Sequence, residues 1–144
     1  MKKAFILALF ALFTFGNFAH SQETASARVV SSRTRELKNN KWSNWTNWVN
    51  TGEIIYATWG YNGKLSNFYI KDNRDEDNDM SFIVNYMSDS RFDNNGGEHL
   101  TGRITEQLSG ARGTLEWYTY PSGTANIFTL KFPAIEIQYK TKDL

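Results

Sequence analysis

The chain has 144 residues, sixteen Lys and Arg against fifteen Asp and Glu, 15% aromatic residues and no cysteine. That length holds one ordinary domain with one core and is short for two. Charge this balanced and scattered gives no path for a phosphate backbone, which argues against nucleic acid as a partner, and the lack of cysteine excludes disulfides, thiolate metal sites and a cysteine nucleophile.

The first segment is Met1-Lys2-Lys3, an apolar stretch of about fifteen residues from Ala4 to Phe18, then Ala19-His20-Ser21 with small residues two apart. A basic start, an apolar middle and a small-residue site are the parts of a cleavable secretory signal. A retained membrane anchor is the alternative, but a helix needs about 20 apolar residues to cross the hydrocarbon core. Residues 1–21 are therefore expected to be removed, leaving a single β domain over 22–144 with no membrane span. Loss of Lys2 and Lys3 takes the sixteen basic residues to fourteen, a net charge of −1. An exported chain without disulfides fits a bacterial envelope, either periplasmic or secreted.

Residues 22–27 read as a short polar lead, followed by an opening strand near Arg28 to Glu36. Next comes the most unusual stretch, Lys41-Trp42-Ser43-Asn44-Trp45-Thr46-Asn47-Trp48, with three of the five tryptophans spaced three apart. A flat strand would put Trp42 and Trp48 on one face and Trp45 on the other. An extended helix of three residues per turn would align all three. Aligned and exposed, such a row would stack on sugar rings or grip an apolar partner; buried, two of its members would plug one end of the core. Trp-Ser-x-Trp also occurs in thrombospondin type 1 repeats, but those depend on cysteines that are absent here.

Asn62-Gly63 suits a type I′ turn, whose central residues both need positive φ. Closing a hairpin there opposes Tyr61 to Lys64, Trp59 to Ser66, Ala57 to Phe68 and Ile55 to Ile70, a mostly apolar face. The reverse face pairs Tyr56 with Tyr69 and Thr58 with Asn67. The acidic run Asp72-Asn73-Arg74-Asp75-Glu76-Asp77-Asn78-Asp79 alternates Asp75, Asp77 and Asp79 like the first half of a calcium loop. The glycine that an EF-hand requires at its sixth position is replaced by Met80, and no glutamate stands at its twelfth, so a solvated turn with no metal is expected. A strand near Met80 to Tyr86 follows. The loop 93–99 then carries His99, the one histidine outside the signal, with no metal partners or nucleophile motif beside it.

A hairpin is expected from Arg103–Leu108 to Thr114–Thr119 through 109–113. A last one turns at Pro133-Ala134, opposing Phe132 to Ile135, Leu130 to Ile137 and Phe128 to Tyr139. Its other face pairs Lys131 with Glu136 and Thr129 with Gln138. Seven to eight short strands in an antiparallel meander predict an all-β fold, a small barrel or a two-sheet sandwich. Eight membrane-spanning strands of about ten residues each barely fit this length.

The double-lysine signal, Trp45 and Trp48 before the first hairpin and the closing Phe132-Pro133-Ala134-Ile135 turn resemble small exported β proteins of Bacteroidota. The resemblance spans residues 28–141 and implies a compartment and a fold type, with no activity attached.

These features point to an exported, monomeric, non-enzymatic binding or interaction module that uses no cofactor. Its ligand would be a glycan, a small apolar molecule or a protein, and Trp42, Trp45, Trp48, Tyr56 and Tyr69 are the candidate contacts. A structural envelope protein with no small ligand is one alternative. The other is a small carbohydrate-acting enzyme using two carboxylates among Glu53, Glu106, Glu116 and Glu136, which would have to face each other across a cleft. Alternation places Glu116, between Leu115 and Trp117, towards solvent.

Overall fold

The computed structural model describes residues 23–121 and 126–143. The expected export signal lies outside the described residues. In chain order the strands are β1 (Glu23–Lys38), β2 (Lys41–Trp42), β3 (Val49–Asn50), β4 (Glu53–Trp59), β5 (Leu65–Asp72), β6 (Met80–Met87), β7 (Arg91–Phe92), β8 (Glu98–Glu106), β9 (Arg112–Thr119), β10 (Asn126–Lys131) and β11 (Ile135–Asp143). The eight long strands β1, β4, β5, β6, β8, β9, β10 and β11 pair antiparallel with their neighbours, and β11 returns to pair with β1. The ring is closed, so the fold is a barrel and not a sandwich, with β2, β3 and β7 as additions outside it.

Side-chain alternation fills the interior in rows that run across the strands. Leu100, Trp117, Phe128 and Tyr139 lie side by side on β8 to β11, and Gly102, Leu115, Leu130 and Ile137 form the next row. Phe68 holds the centre, stacked on Phe82 at 4.5 Å and edge-on to Phe128 at 5.2 Å between ring centroids. Phe68, Ile70 and Leu130 are buried as the pattern predicts, and Ile137 packs partly buried against them. Burial holds the Tyr139 phenol protonated, its pKa far above the ordinary tyrosine value, and the nearby Glu53 carboxylate adds to the shift.

Both phase-locked hairpins form. Every predicted pair of the last one is present, and Phe132 N donates to Ile135 O at 2.9 Å across its turn. Its opposite charges find other partners, however: Lys131 bonds Glu116 at 2.7 Å and Glu136 bonds Arg35 at 2.6 Å. Thr129 lies on the outer face as expected, yet it is buried, with Gln138 Nε2 donating to its hydroxyl.

In the first hairpin Ile55–Ile70, Tyr56–Tyr69, Ala57–Phe68 and Thr58–Asn67 hold, but Trp59 opposes Leu65 and not Ser66. The cause is the turn. Only Gly63 takes positive φ there, at 71°, and Gly63 N donates to Gly60 O, so a bulge replaces the two-residue type I′ turn. The type I′ geometry occurs instead at Asn39-Asn40, with φ of 51° and 59°, where β1 folds back into β2. A second correction concerns the polar lead. Residues 23–27 belong to β1 and pair with β4, so the opening strand is sixteen residues long.

The eight-stranded barrel has two different ends. At one, the acidic run forms a structured turn. Asp75 caps a short 3-10 turn (Glu76–Asn78) and accepts from Asp77 N. Asp79 points away from both, accepting from Asp72 N at 2.8 Å and from the Tyr69 hydroxyl. At the other end lie Trp59, Leu65, Met87, Glu98, Thr119, Asn126 and Thr141, and a cavity opens there between the strands.

Candidate functional site

The tryptophan row is not core. Residues 43–49 run back along the outside of β1 in steps of three against its steps of two. Ser43 N donates to Glu36 O at 2.8 Å and Ser43 Oγ accepts from Glu36 N at 3.0 Å. Thr46 repeats both bonds with Thr34, at 2.9 and 3.0 Å, and Val49 then pairs with Ser32. The hydroxyls take the place of strand carbonyls. Because each tryptophan precedes one of these anchors, all three rings fall on one side, the period-three arrangement.

Two β1 arginines fill the gaps between the rings. Arg35 lies over Trp42 and Trp45 at 5.2 and 4.7 Å, Arg33 over Trp45 and Trp48 at 4.9 and 4.5 Å, and Lys140 over Trp48 at 4.1 Å. Each such contact contributes about 0.5–1 kcal/mol at an exposed site. The guanidinium groups are themselves held from β11: Arg33 Nε donates to Gln138 at 2.8 Å and Arg35 to Glu136. Trp45 is thus clamped between two cations, and Trp42, 38% exposed, is the most exposed ring of the three.

Tyr56 and Tyr69 are a separate pair. Their rings sit 6.4 Å apart on β4 and β5, whereas the tryptophan ladder covers the β1–β11 seam. His99 lies on the outer surface of β8, its ring 4.3 Å from that of Tyr118. Asp93 orders the neighbouring loop, accepting from Gly97 N at 2.7 Å, Asn95 N at 2.9 Å and Tyr118 Oη at 3.1 Å. Those backbone donors, Gly97 first, hold the Asp93 carboxyl below the ordinary aspartate range.

The open barrel end contains what the sequence pattern does not reveal, a cavity of about 250 Å³. Its walls are Trp59, Leu65, Met87, Leu100 and Trp117, and its rim is Asn62, Lys64, Ser88, Asp89 and Ser90. Trp59 on β4 and Trp117 on β9 stand four strands apart in a ring of eight, so they form opposite walls. A weak ion pair from Lys64 to Asp89, 3.7 Å, crosses the rim. Phe92, opposite Glu98 in the ladder, stands 65% exposed at the same mouth. Trp59 and Trp117 each read as ordinary core residues in sequence. Their meeting across a void depends on barrel closure, which no local pattern encodes.

No protein-family model matches the chain, and comparison with curated proteins and with solved structures finds no match either. The site must be read from its own chemistry.

The four candidate carboxylates are engaged at separate places. Glu116 pairs with Lys131 on the outer face and Glu136 with Arg35. Glu106 caps the turn after β8, accepting from Ser109 N and Oγ at 2.6 Å. Glu53 lies on β4 with Oε1 4.0 Å from Arg74, and its buried Oε2 has no hydrogen-bond partner among the described residues. Among the described residues, no group of three or more His, Asp or Glu side chains is arranged to hold a metal ion.

Proposed function

We propose that this chain is an exported, monomeric binding module that takes one small, largely apolar molecule in the mouth of its barrel. The observation that carries the reading is the cavity between Trp59 and Trp117. Eight strands leave an interior just wide enough to be filled by side chains or to hold one small ligand. Here the lower barrel is filled and the upper end is not. Apolar cavities of about 150 Å³ already admit benzene, so about 250 Å³ has room for two fused rings. Apolar walls with a few polar groups at the edge are the usual composition of such sites.

The test uses 1-naphthalenemethanol as a neutral probe, with NMR of the five indole N–H groups. Addition should shift the signals of Trp59 and Trp117 and leave those of Trp42, Trp45 and Trp48 in place. Leu100→Phe, which pushes a ring into the cavity, should weaken binding by about tenfold or more. Movement confined to the outer three signals would transfer the site to the ladder. No movement at all would favour a structural envelope protein.

Export is supported by the three-part signal at residues 1–21 and by the resemblance to exported β proteins of Bacteroidota. Protein recovered from the envelope or medium of an expressing bacterium should begin near Gln22. An intact mass matching all 144 residues would count against export.

A further inference from the structure

At the same end of the barrel, one position beyond the residues that line the cavity, half of the ring is polar. Glu98, Thr119, Asn126 and Thr141 lie side by side on β8, β9, β10 and β11. On each strand they are the next inward position beyond Leu100, Trp117, Phe128 and Tyr139, so alternation turns them towards the lumen. Glu98, Asn126 and Thr141 are buried. Asn126 is 6% exposed and its Oδ1 has no hydrogen-bond partner among the described residues. A buried carbonyl left unpaired is destabilising, and a donor on a bound molecule would relieve it. Glu98 accepts from the Ser90 hydroxyl, and Ser90 itself lines the cavity. The facing half, on β1, β4, β5 and β6, presents Ala25, Trp59, Leu65 and Met87, with Glu23 at its edge beside Trp59.

From this juxtaposition we infer that the ligand carries a cationic, hydrogen-bond-donating head, an amine, on its apolar body. The inference rests on the binding function proposed above. The ring system lies between Trp59 and Trp117. The head points to the polar half, where Asn126 Oδ1 accepts a hydrogen bond and the Glu98 carboxylate supplies the charge, with Glu23 adding a second negative charge at the rim. A carboxylate head would meet the Glu98 carboxylate and the Asn126 acceptor, while the cation of the rim, Lys64, is paired with Asp89, so it should bind more weakly than the amine.

Three probes that share one ring system test it: 1-naphthylmethylamine, 1-naphthalenemethanol and 1-naphthoate, titrated calorimetrically into the mature protein at neutral pH. The amine should bind tightest and the naphthoate weakest, with at least about a tenfold span, since charge-assisted bonds are roughly twice as strong as neutral ones. Glu98→Gln should bring the amine down to the alcohol. Asn126→Leu should weaken amine and alcohol together while its melting temperature stays level or rises. Equal affinity for amine and naphthoate would overturn the head-group assignment and leave the cavity reading intact. Absence of binding by all three would remove both. If Asn126→Leu fails to fold, the Glu98→Gln result alone decides, and an unchanged amine preference in that variant sinks the proposal.

Discussion

Leu130→Ala should lower the stability of the barrel by about 3–5 kcal/mol, the upper part of the range for truncating a fully buried leucine. Leu130 has no exposed surface and lies between Leu115 and Ile137 in the central row. A loss of that size is a large share of the roughly 5–15 kcal/mol that a domain of this kind possesses. Thr129→Ala, one residue away on the outer face, should cost about 1 kcal/mol, the worth of a single hydrogen bond. It is not silent, because Thr129 is covered by its neighbours and accepts from Gln138. Urea denaturation of the two variants measures the contrast. Equal midpoints would mean that the inward and outward faces of β10 are wrongly assigned.

Arg35→Ala should be the most damaging change outside the barrel. The Glu136 side chain is 10% exposed and loses its only cation, and removing one partner of a buried pair costs about 3–5 kcal/mol. Arg35 is itself 30% exposed, which places the expected loss near the bottom of that range, about 3 kcal/mol. The variant also removes the cation between Trp42 and Trp45. Arg33→Ala provides the comparison. It contacts as many rings, but its β11 partner, Gln138, is neutral and no charge is stranded, so a smaller loss of about 2 kcal/mol is expected. The double change Arg35→Met with Glu136→Leu should recover most of the stability, because it leaves no charge stranded. If Arg33→Ala and Arg35→Ala proved equal in thermal and urea unfolding, stacking on the rings would be the dominant effect and the ion pair incidental.

The hairpin registers were legible in the sequence because they depend on neighbours. Period-two alternation and a turn residue suffice to set Phe128 against Tyr139 or Ile55 against Ile70. Where two local signals competed, the pattern won over the turn. Asn62-Gly63 has the type I′ composition, yet the chain bulges there and keeps the alternation from Thr58 downward. Asn39-Asn40 adopted that turn instead; two consecutive asparagines, which tolerate positive φ, were the available signal. The ladder was half legible. Period three at Trp42, Trp45 and Trp48 foretold the alignment, but the intercalating Arg33 and Arg35 belong to a different strand, and nothing in the spacing shows that they would occupy the ring faces. The mouth was the least legible. Glu98, Thr119, Asn126 and Thr141 are scattered over more than forty positions, and they form one row only when three successive strand registers are laid side by side.

That ring is completed by joining the first strand to the last. Thr34 meets Ile137 and Arg35 meets Glu136, partners about a hundred residues apart in the chain. Loops of that length are closed late and slowly, which places the barrel among topologies that fold in milliseconds to seconds. The export proposed above would have a use for such a delay, since a chain that crosses a membrane must stay open until its end has passed. The clamp of rings and cations over the seam has half of its anchors on β11 and cannot assemble before closure. Its strength should therefore appear in how slowly the protein opens and hardly at all in how fast it forms, so that the ladder acts as a latch set after the door has shut.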